Sequence, residues 1–215
     1  MKKVLIAVAI LVMAVFLGSC AKVPQAELDS TNAAIAKAKT AGADVYLAPA
    51  YNAVLDSLNA INAEIETNKG KLFKNFSGVK VKLNALEGEA NDLVGKTEAA
   101  KNTIREQVNG TLSQLKTLSA ENATLVKKAP RGKEGKAAIE SIESDMNTIN
   151  GSIEEIPQLL QKGDLLNAQT KANAAYTQAM SINQELKTAI EKYSSKQHHR
   201  PVTHRRPVMH HPKKK

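Results

Sequence analysis

The side chains best able to act as nucleophiles or metal ligands stand at the two extremes of this sequence. The single cysteine is Cys20, and the five histidines, His198, His199, His204, His210 and His211, all fall at or beyond position 198. Between them lies neither residue type, so the body of the chain offers no imidazole base, no thiol nucleophile and no Cys/His metal cage. Carboxylates remain. Glu140, Glu143 and Asp145, and Glu154 with Glu155, fall on the polar faces of amphipathic stretches, where a solvated helix surface explains them. Lys69, Lys71 and Lys74 offer cations to a phosphate around Gly70, but without the glycine-rich strand-to-helix turn of a nucleotide-binding loop. No catalytic residues are expected, and the chain is read as a non-enzyme.

On charge alone, binding chemistry is expected in the C-terminal segment. Residues 196–215 hold seven basic residues, Lys196, Arg200, Arg205, Arg206, Lys213, Lys214 and Lys215, and no acid. Arg200-Pro201-Val202-Thr203-His204 is echoed by Arg206-Pro207-Val208-Met209-His210. One sign of charge, three prolines and few apolar side chains cannot make a core, so disorder is expected, with the prolines favouring extended backbone. Such a polycation binds polyanions by counterion release and loses them in salt. Arg200, Arg205, Arg206, Lys213, Lys214 and Lys215 are therefore candidate polyanion contacts. The histidines would add charge in mild acid, as imidazoles do. They also form a candidate divalent-metal site. Adjacent imidazoles without cysteine or carboxylate are not the spacing of a preformed tetrahedral centre, so weak binding is the expectation.

At the other extreme, Met1-Lys2-Lys3 precedes an uninterrupted apolar run from Val4 to Leu17. A short charged region followed by an apolar stretch of this length reads as a secretion signal. Gly18 and Ser19 then lead to Cys20. Leu17-Gly18-Ser19-Cys20 resembles the lipobox of bacterial lipoproteins, and all four positions match the aliphatic, small, small, cysteine pattern. The resemblance implies cleavage before Cys20, a diacylglycerol on its thiol and, in many bacteria, a further acyl chain on the new amine, with palmitate-type chains as the lipid. Two or more chains anchor stably where one does not. Ala21, where an inner-membrane retention signal would place aspartate, favours the outer membrane facing the periplasm in a two-membrane cell.

Cleavage would leave 196 of the 215 residues, with 28 basic and 21 acidic side chains. The segment 20–195 is balanced, so the excess charge sits in the tail. There is no tryptophan and aromatics make up only 3%. A thick core needs large side chains, so thin helical packing is expected. A lone cysteine also excludes an internal disulfide.

The periodicity predicts helices throughout. Residues 24–41 place Ala26, Leu28, Ala34, Ile35 and Ala38 on one face, with Gly42 as a stop. Val54, Leu58, Ile61 and Ile65 form a seam in a second helix opening at Pro49. Glycines and turn residues at 69–78 predict a hinge. The seam then resumes through Phe76, Val79, Leu83, Leu86, Ala90, Leu93, Thr97, Ala100 and Ile104, and shifts register to Val108, Leu112, Leu115 and Leu118. An unbroken 49–128 helix would measure about 120 Å, so a bend or break is expected. Val79 to Leu83 alternates like a strand, but its neighbours continue the helical seam.

After the breaker Ala129-Pro130-Arg131-Gly132, an isoleucine seam (Ile139, Ile142, Met146, Ile149, Ile153, Ile156, Leu160) meets a mostly alanine seam (Leu165, Ala168, Ala172, Ala175, Ala179, Ile182, Leu186, Ala189, Tyr193) across Lys162-Gly163-Asp164. So short a loop makes them an antiparallel hairpin. Pro157 predicts a kink or break near 151–157.

The expected organisation is a signal at 1–19, an N-terminal helical region at 20–128, a C-terminal helical hairpin at 133–195 and a disordered tail at 196–215. The fold class is all-α, an elongated antiparallel helical bundle of coiled-coil-like hairpins. Cys20 to Ile65, an alanine-rich helix followed by Ala41-Gly42-Ala43-Asp44 and Tyr46-Leu47-Ala48-Pro49, resembles a group of uncharacterised bacterial envelope lipoproteins. Members are short alanine-rich helical hairpins behind a lipobox, some joined to wall-binding domains. No such domain is visible here.

The function these features point to is a membrane-anchored structural or tethering lipoprotein. Its cationic tail would meet peptidoglycan, lipopolysaccharide or another anionic polymer; nucleic acid is not an expected partner. Leftover seam positions allow a homo-oligomer or a helical protein partner. The alternative is a periplasmic metal-binding or ligand-binding lipoprotein that uses the histidine-rich tail.

Overall fold

The computed structural model describes residues 22–132 and 135–198, with the side chains of 196–198 outside the description. Among the described residues all regular structure is helical: α1 (Gln25–Ala41), α2 (Ala43–Tyr46), α3 (Ala48–Lys69), α4 (Ser77–Lys128), α5 (Gly135–Gln161) and α6 (Leu165–His198). The chain divides into two compact units, Met1–Thr103 and Ile104–Lys215, and α4 contributes to both.

In the first unit, α1, α3 and the first half of α4 surround a core of Ala34, Ile35, Ala38, Tyr51, Val54, Ile61, Ile65, Phe76, Val79, Leu83, Leu86, Ala90 and Leu93. α1 ends where the periodicity predicts. Gly42 takes φ +93, its N–H reaches back to the carbonyls of Ala38 and Lys39, and a Cβ there would press to 3.2 Å from the Tyr46 ring. The turn is tightened into the one-turn helix α2, which the sequence reading leaves as a loop. Pro49 occupies the first turn of α3. Ala26, expected on the apolar face, is exposed, and Thr31 is buried. The Thr31 hydroxyl shares its proton between the Glu27 carbonyl at 2.8 Å and the Leu83 carbonyl at 3.1 Å, which ties α1 to α4.

In the second unit, the second half of α4 packs with α5 and α6. Ile139, Ile142, Ile149 and Ile156 of α5 face Ala168, Ala172, Ala175 and Ala179 of α6 within one core that also takes Val108, Leu112, Leu115 and Leu118 from α4. Gly163 closes the α5–α6 turn at φ +76. The Asp164 N–H donates to the Leu159 carbonyl and the Gly163 N–H to the Leu160 carbonyl, the paired bonds of a Schellman cap. Polar layers cross this core. Asn122 Nδ2 donates to the Ala179 carbonyl at 2.8 Å, Asn183 Nδ2 donates to Asn122 Oδ1 at 2.8 Å, and Ser119 Oγ donates to Asn150 Oδ1 at 3.0 Å.

Two expectations are corrected and two are met. Of the kink or break expected near 151–157, the break does not occur, because α5 runs unbroken through Pro157 to Gln161. The proline removes one backbone bond, to the Ile153 carbonyl, and the helix continues past it for four residues. The final helix continues to His198, taking in the first three residues assigned to the tail. Finally, 79–83 is helical, as the flanking seam requires, and the predicted hinge is a true break between Lys69 and Ser77.

These interactions differ in worth. Asn122→Ala strips a partner from the Ala179 carbonyl and the Asn183 amide inside the core, and is expected to cost about 2 kcal/mol. Gly163→Ala forces a Cβ into the left-handed region and is expected to cost about 1 kcal/mol. Leu166→Ala, at a largely exposed position, should stay within about 0.5 kcal/mol. Urea unfolding followed by circular dichroism checks the order.

Candidate functional site

Cys20, Arg200, Arg205, Arg206, Lys213, Lys214 and Lys215, with His199, His204, His210 and His211, lie outside the described residues. Of His198 only the backbone is described, as the last residue of α6. The geometry therefore bears on the body of the chain.

There three of the five carboxylates singled out from sequence are engaged with cations on exposed faces. Glu155 pairs with Lys171 at 2.7 Å, Glu143 with Arg131 at 3.5 Å and Glu140 with Lys136 at 3.8 Å. No group of three or more His, Cys, Asp or Glu able to hold a metal occurs among the described residues. Open grooves run along the helix pairs. One of about 330 Å³ between α3 and α4 is lined by Ser57, Ile61, Glu64, Lys82, Leu86 and Glu89, with Lys82 bridged to Glu64. Another of about 460 Å³ lies between α5 and α6 beside the Glu155–Lys171 pair.

The hinge lysines do not converge into a phosphate site. Lys69 Nζ binds Glu66 Oε1 at 2.7 Å, and Lys71 Nζ donates to Asn68 Oδ1 at 2.7 Å. Between Lys71 and Lys74 the loop instead presents Leu72 and Phe73, 91% and 87% exposed, the most exposed large apolar side chains among the described residues. Sequence reasoning passed over this pair because it belongs to no seam. Its available signal was that very isolation: two large apolar residues inside a lysine-rich turn.

The surrounding helices fix where this loop sits. α1 begins and α3 ends at one end of the first unit, and α4 begins there too. Lys80 in the first turn of α4 binds Glu27 in the first turn of α1, and Lys82 binds Glu64 in the last two turns of α3. Thr31 bonds Leu83 one turn further in. At the other end, Lys101 stands 5.4 Å from the centre of the Tyr46 ring, beside the α1–α2 turn. The 70–76 loop and the chain leading back from Gln25 to Lys22 therefore share one end, with Val45 and Tyr46 at the opposite one.

Two carboxyls have shifted titration. Glu27 is held below its ordinary value of 4.5 by the hydrogen bond from Lys80, helped by bonding to its own backbone. Glu121 is held below 4.5 chiefly by Lys187 and then by Asn183.

Compared with protein-family models, with curated proteins and with solved structures, the chain matches none.

The lowered carboxyls set an acid limit. Glu27 and Glu121 bind protons more weakly folded than unfolded, so their contribution to stability is complete above the unfolded value and is lost as pH falls through the folded one. Thermal midpoints should hold from neutrality to about pH 5 and decline below it. Lys80→Met with Lys187→Met should make that decline shallower, as scanning calorimetry at a series of pH values would show.

Proposed function

We propose that this protein is a lipid-anchored, non-catalytic envelope protein: acyl chains on Cys20 hold a helical body to a membrane, and the cationic segment beyond His198 engages an anionic envelope polymer. One observation carries the reading. The chain toward Cys20 leaves the first unit at an end of its helices, not from the middle of a packed face, so a lipid on Cys20 would leave the core undisturbed. Only four residues lie between Cys20 and Gln25, and the five steps of chain reach at most about 18 Å. The anchor would hold that end of the unit close to the headgroups.

The helices themselves supply no alternative anchor, since no helix among the described residues is long and apolar enough to cross a membrane. Stable attachment by the Leu17-Gly18-Ser19-Cys20 motif needs two or more acyl chains. Ala21 favours the outer membrane where two membranes exist. Arg200, Arg205, Arg206 and Lys213 to Lys215 give the far segment its affinity for lipopolysaccharide phosphates or wall polymers, through a salt-sensitive counterion effect.

Mass spectrometry of the mature N-terminus tests the anchor: a diacylglyceryl cysteine at position 20 is expected, and an intact Met1 or a free Cys20 thiol contradicts it. In a chain that begins at position 20, Cys20→Ala should weaken retention in the membrane fraction. Deleting residues 197–215 should abolish retention on purified wall or lipopolysaccharide at low salt, and unchanged retention would remove the tail from the proposal.

A further inference from the structure

We propose that the α3–α4 loop, residues 70–76, is a second membrane contact: Leu72 and Phe73 enter the headgroup region of an anionic bilayer while Lys71 and Lys74 bind its phosphates. The inference deepens the lipid-anchor reading and takes its orientation from it. The loop's chemistry is a separate observation.

Nothing in the fold requires Leu72 or Phe73 to be apolar. The core at this end is closed by Ile65, Phe76 and Val79, all buried. The loop is also longer than closure demands. Three residues, 162–164, reverse the chain between α5 and α6, whereas seven, 70–76, are used between α3 and α4. The additional length carries a Leu-Phe pair into solvent, an arrangement with a standing hydration cost that burial in another apolar medium removes.

The charge around the pair selects the medium. From Thr67 to Leu86 there is no acidic residue, while Lys69, Lys71, Lys74, Lys80 and Lys82 fall in the same span. Lys69, Lys80 and Lys82 are held by Glu66, Glu27 and Glu64. Lys71 meets only the neutral amide of Asn68, and Lys74 has no ion-pair partner among the described residues. Two uncompensated ammonium groups therefore flank two bare apolar side chains. Lysine stems can lie along the apolar boundary while their heads stay among the phosphates, which is the order of layers in a bilayer surface with anionic lipid. An apolar protein groove would accept Leu72 and Phe73 but gives the lysines no such partners.

Position supplies the second argument. The loop shares its end of the unit with Lys22, the first described residue and two positions from Cys20. Acyl chains at Cys20 would bring this end, and not the Val45 end, against the lipid. Anchor and loop together would also orient the unit, which a single flexible attachment point does not.

The chain contains no tryptophan, so Phe73→Trp creates a lone fluorophore at the loop and Val45→Trp one at the opposite end, where Val45 is 56% exposed. Each variant, purified with its native N-terminus, is reconstituted in phosphatidylglycerol-containing vesicles carrying brominated acyl chains. Blue-shifted emission with strong quenching for Phe73→Trp, and neither effect for Val45→Trp, is the expected result. Neutralising Lys71 and Lys74 with glutamine should weaken vesicle partitioning of a Cys20→Ser chain that begins at position 20, by about fivefold per lysine. If Cys20 proves acylated but the Phe73→Trp indole stays unquenched, the loop proposal fails and the anchor reading stands. If Cys20 is not acylated, the Cys20→Ser chain decides alone: a blue shift on anionic but not zwitterionic vesicles upholds the loop, and no shift overturns it. A blue shift that grows with protein concentration and needs no lipid assigns Leu72 and Phe73 to a second copy of the chain and also overturns it.

Discussion

The constraint on which the second unit depends is the close approach of helices that have little bulk to offer one another. From 168 to 179 the inward positions of α6 are Ala168, Ala172, Ala175 and Ala179, so over this stretch the isoleucines of α5 must do most of the filling. A stripe of alanines is a smooth surface, and smooth surfaces slide. Register needs something directional, and the buried amides provide it: Asn122 can reach the Ala179 carbonyl and accept from Asn183 in only one alignment of α4 with α6. Ser119 and Asn150 do the same between α4 and α5. Every buried polar side-chain atom among the described residues has a partner, so these layers add specificity without leaving desolvated groups unpaired.

The first unit solves the same problem with other residues. Thr31 bonds a backbone carbonyl of α4 through a buried hydroxyl, and Glu27–Lys80 and Glu64–Lys82 bracket it at the surface. Exposed ion pairs contribute little individually, so their main effect is alignment. It is this alignment that brings the start of α1 and the α3–α4 loop to a common end. The functional reading follows from that placement.

Much of this was legible in the pattern of apolar residues. The three-four alternation located Val79, Leu83, Leu86, Ala90 and Leu93, and likewise Ile139, Ile142, Ile149 and Ile156, because burial of one helical stripe leaves that period in the sequence. The polar members of the same stripes were not legible. After Leu118 the next inward position is Asn122, which reads as the end of a seam although Val126 and Ala129 continue it. Thr31 was hidden in the same way, and Ala26 was assigned to the core merely for being apolar. Tyr193 follows the period but is exposed. Leu72 and Phe73 escaped notice for the converse reason, since a period-based reading discards apolar residues that fall in a turn.

The end of the first unit bearing Lys22 and the 70–76 loop is the end proposed to face lipid. Hydrogen exchange of the acylated protein, compared between vesicles and detergent-free solution of the Cys20→Ser chain, measures it at backbone level. Slower exchange at 70–76 on vesicles, with the 42–47 turn unchanged, is the predicted result. Equal protection at both ends, or protection confined to 42–47, would contradict it.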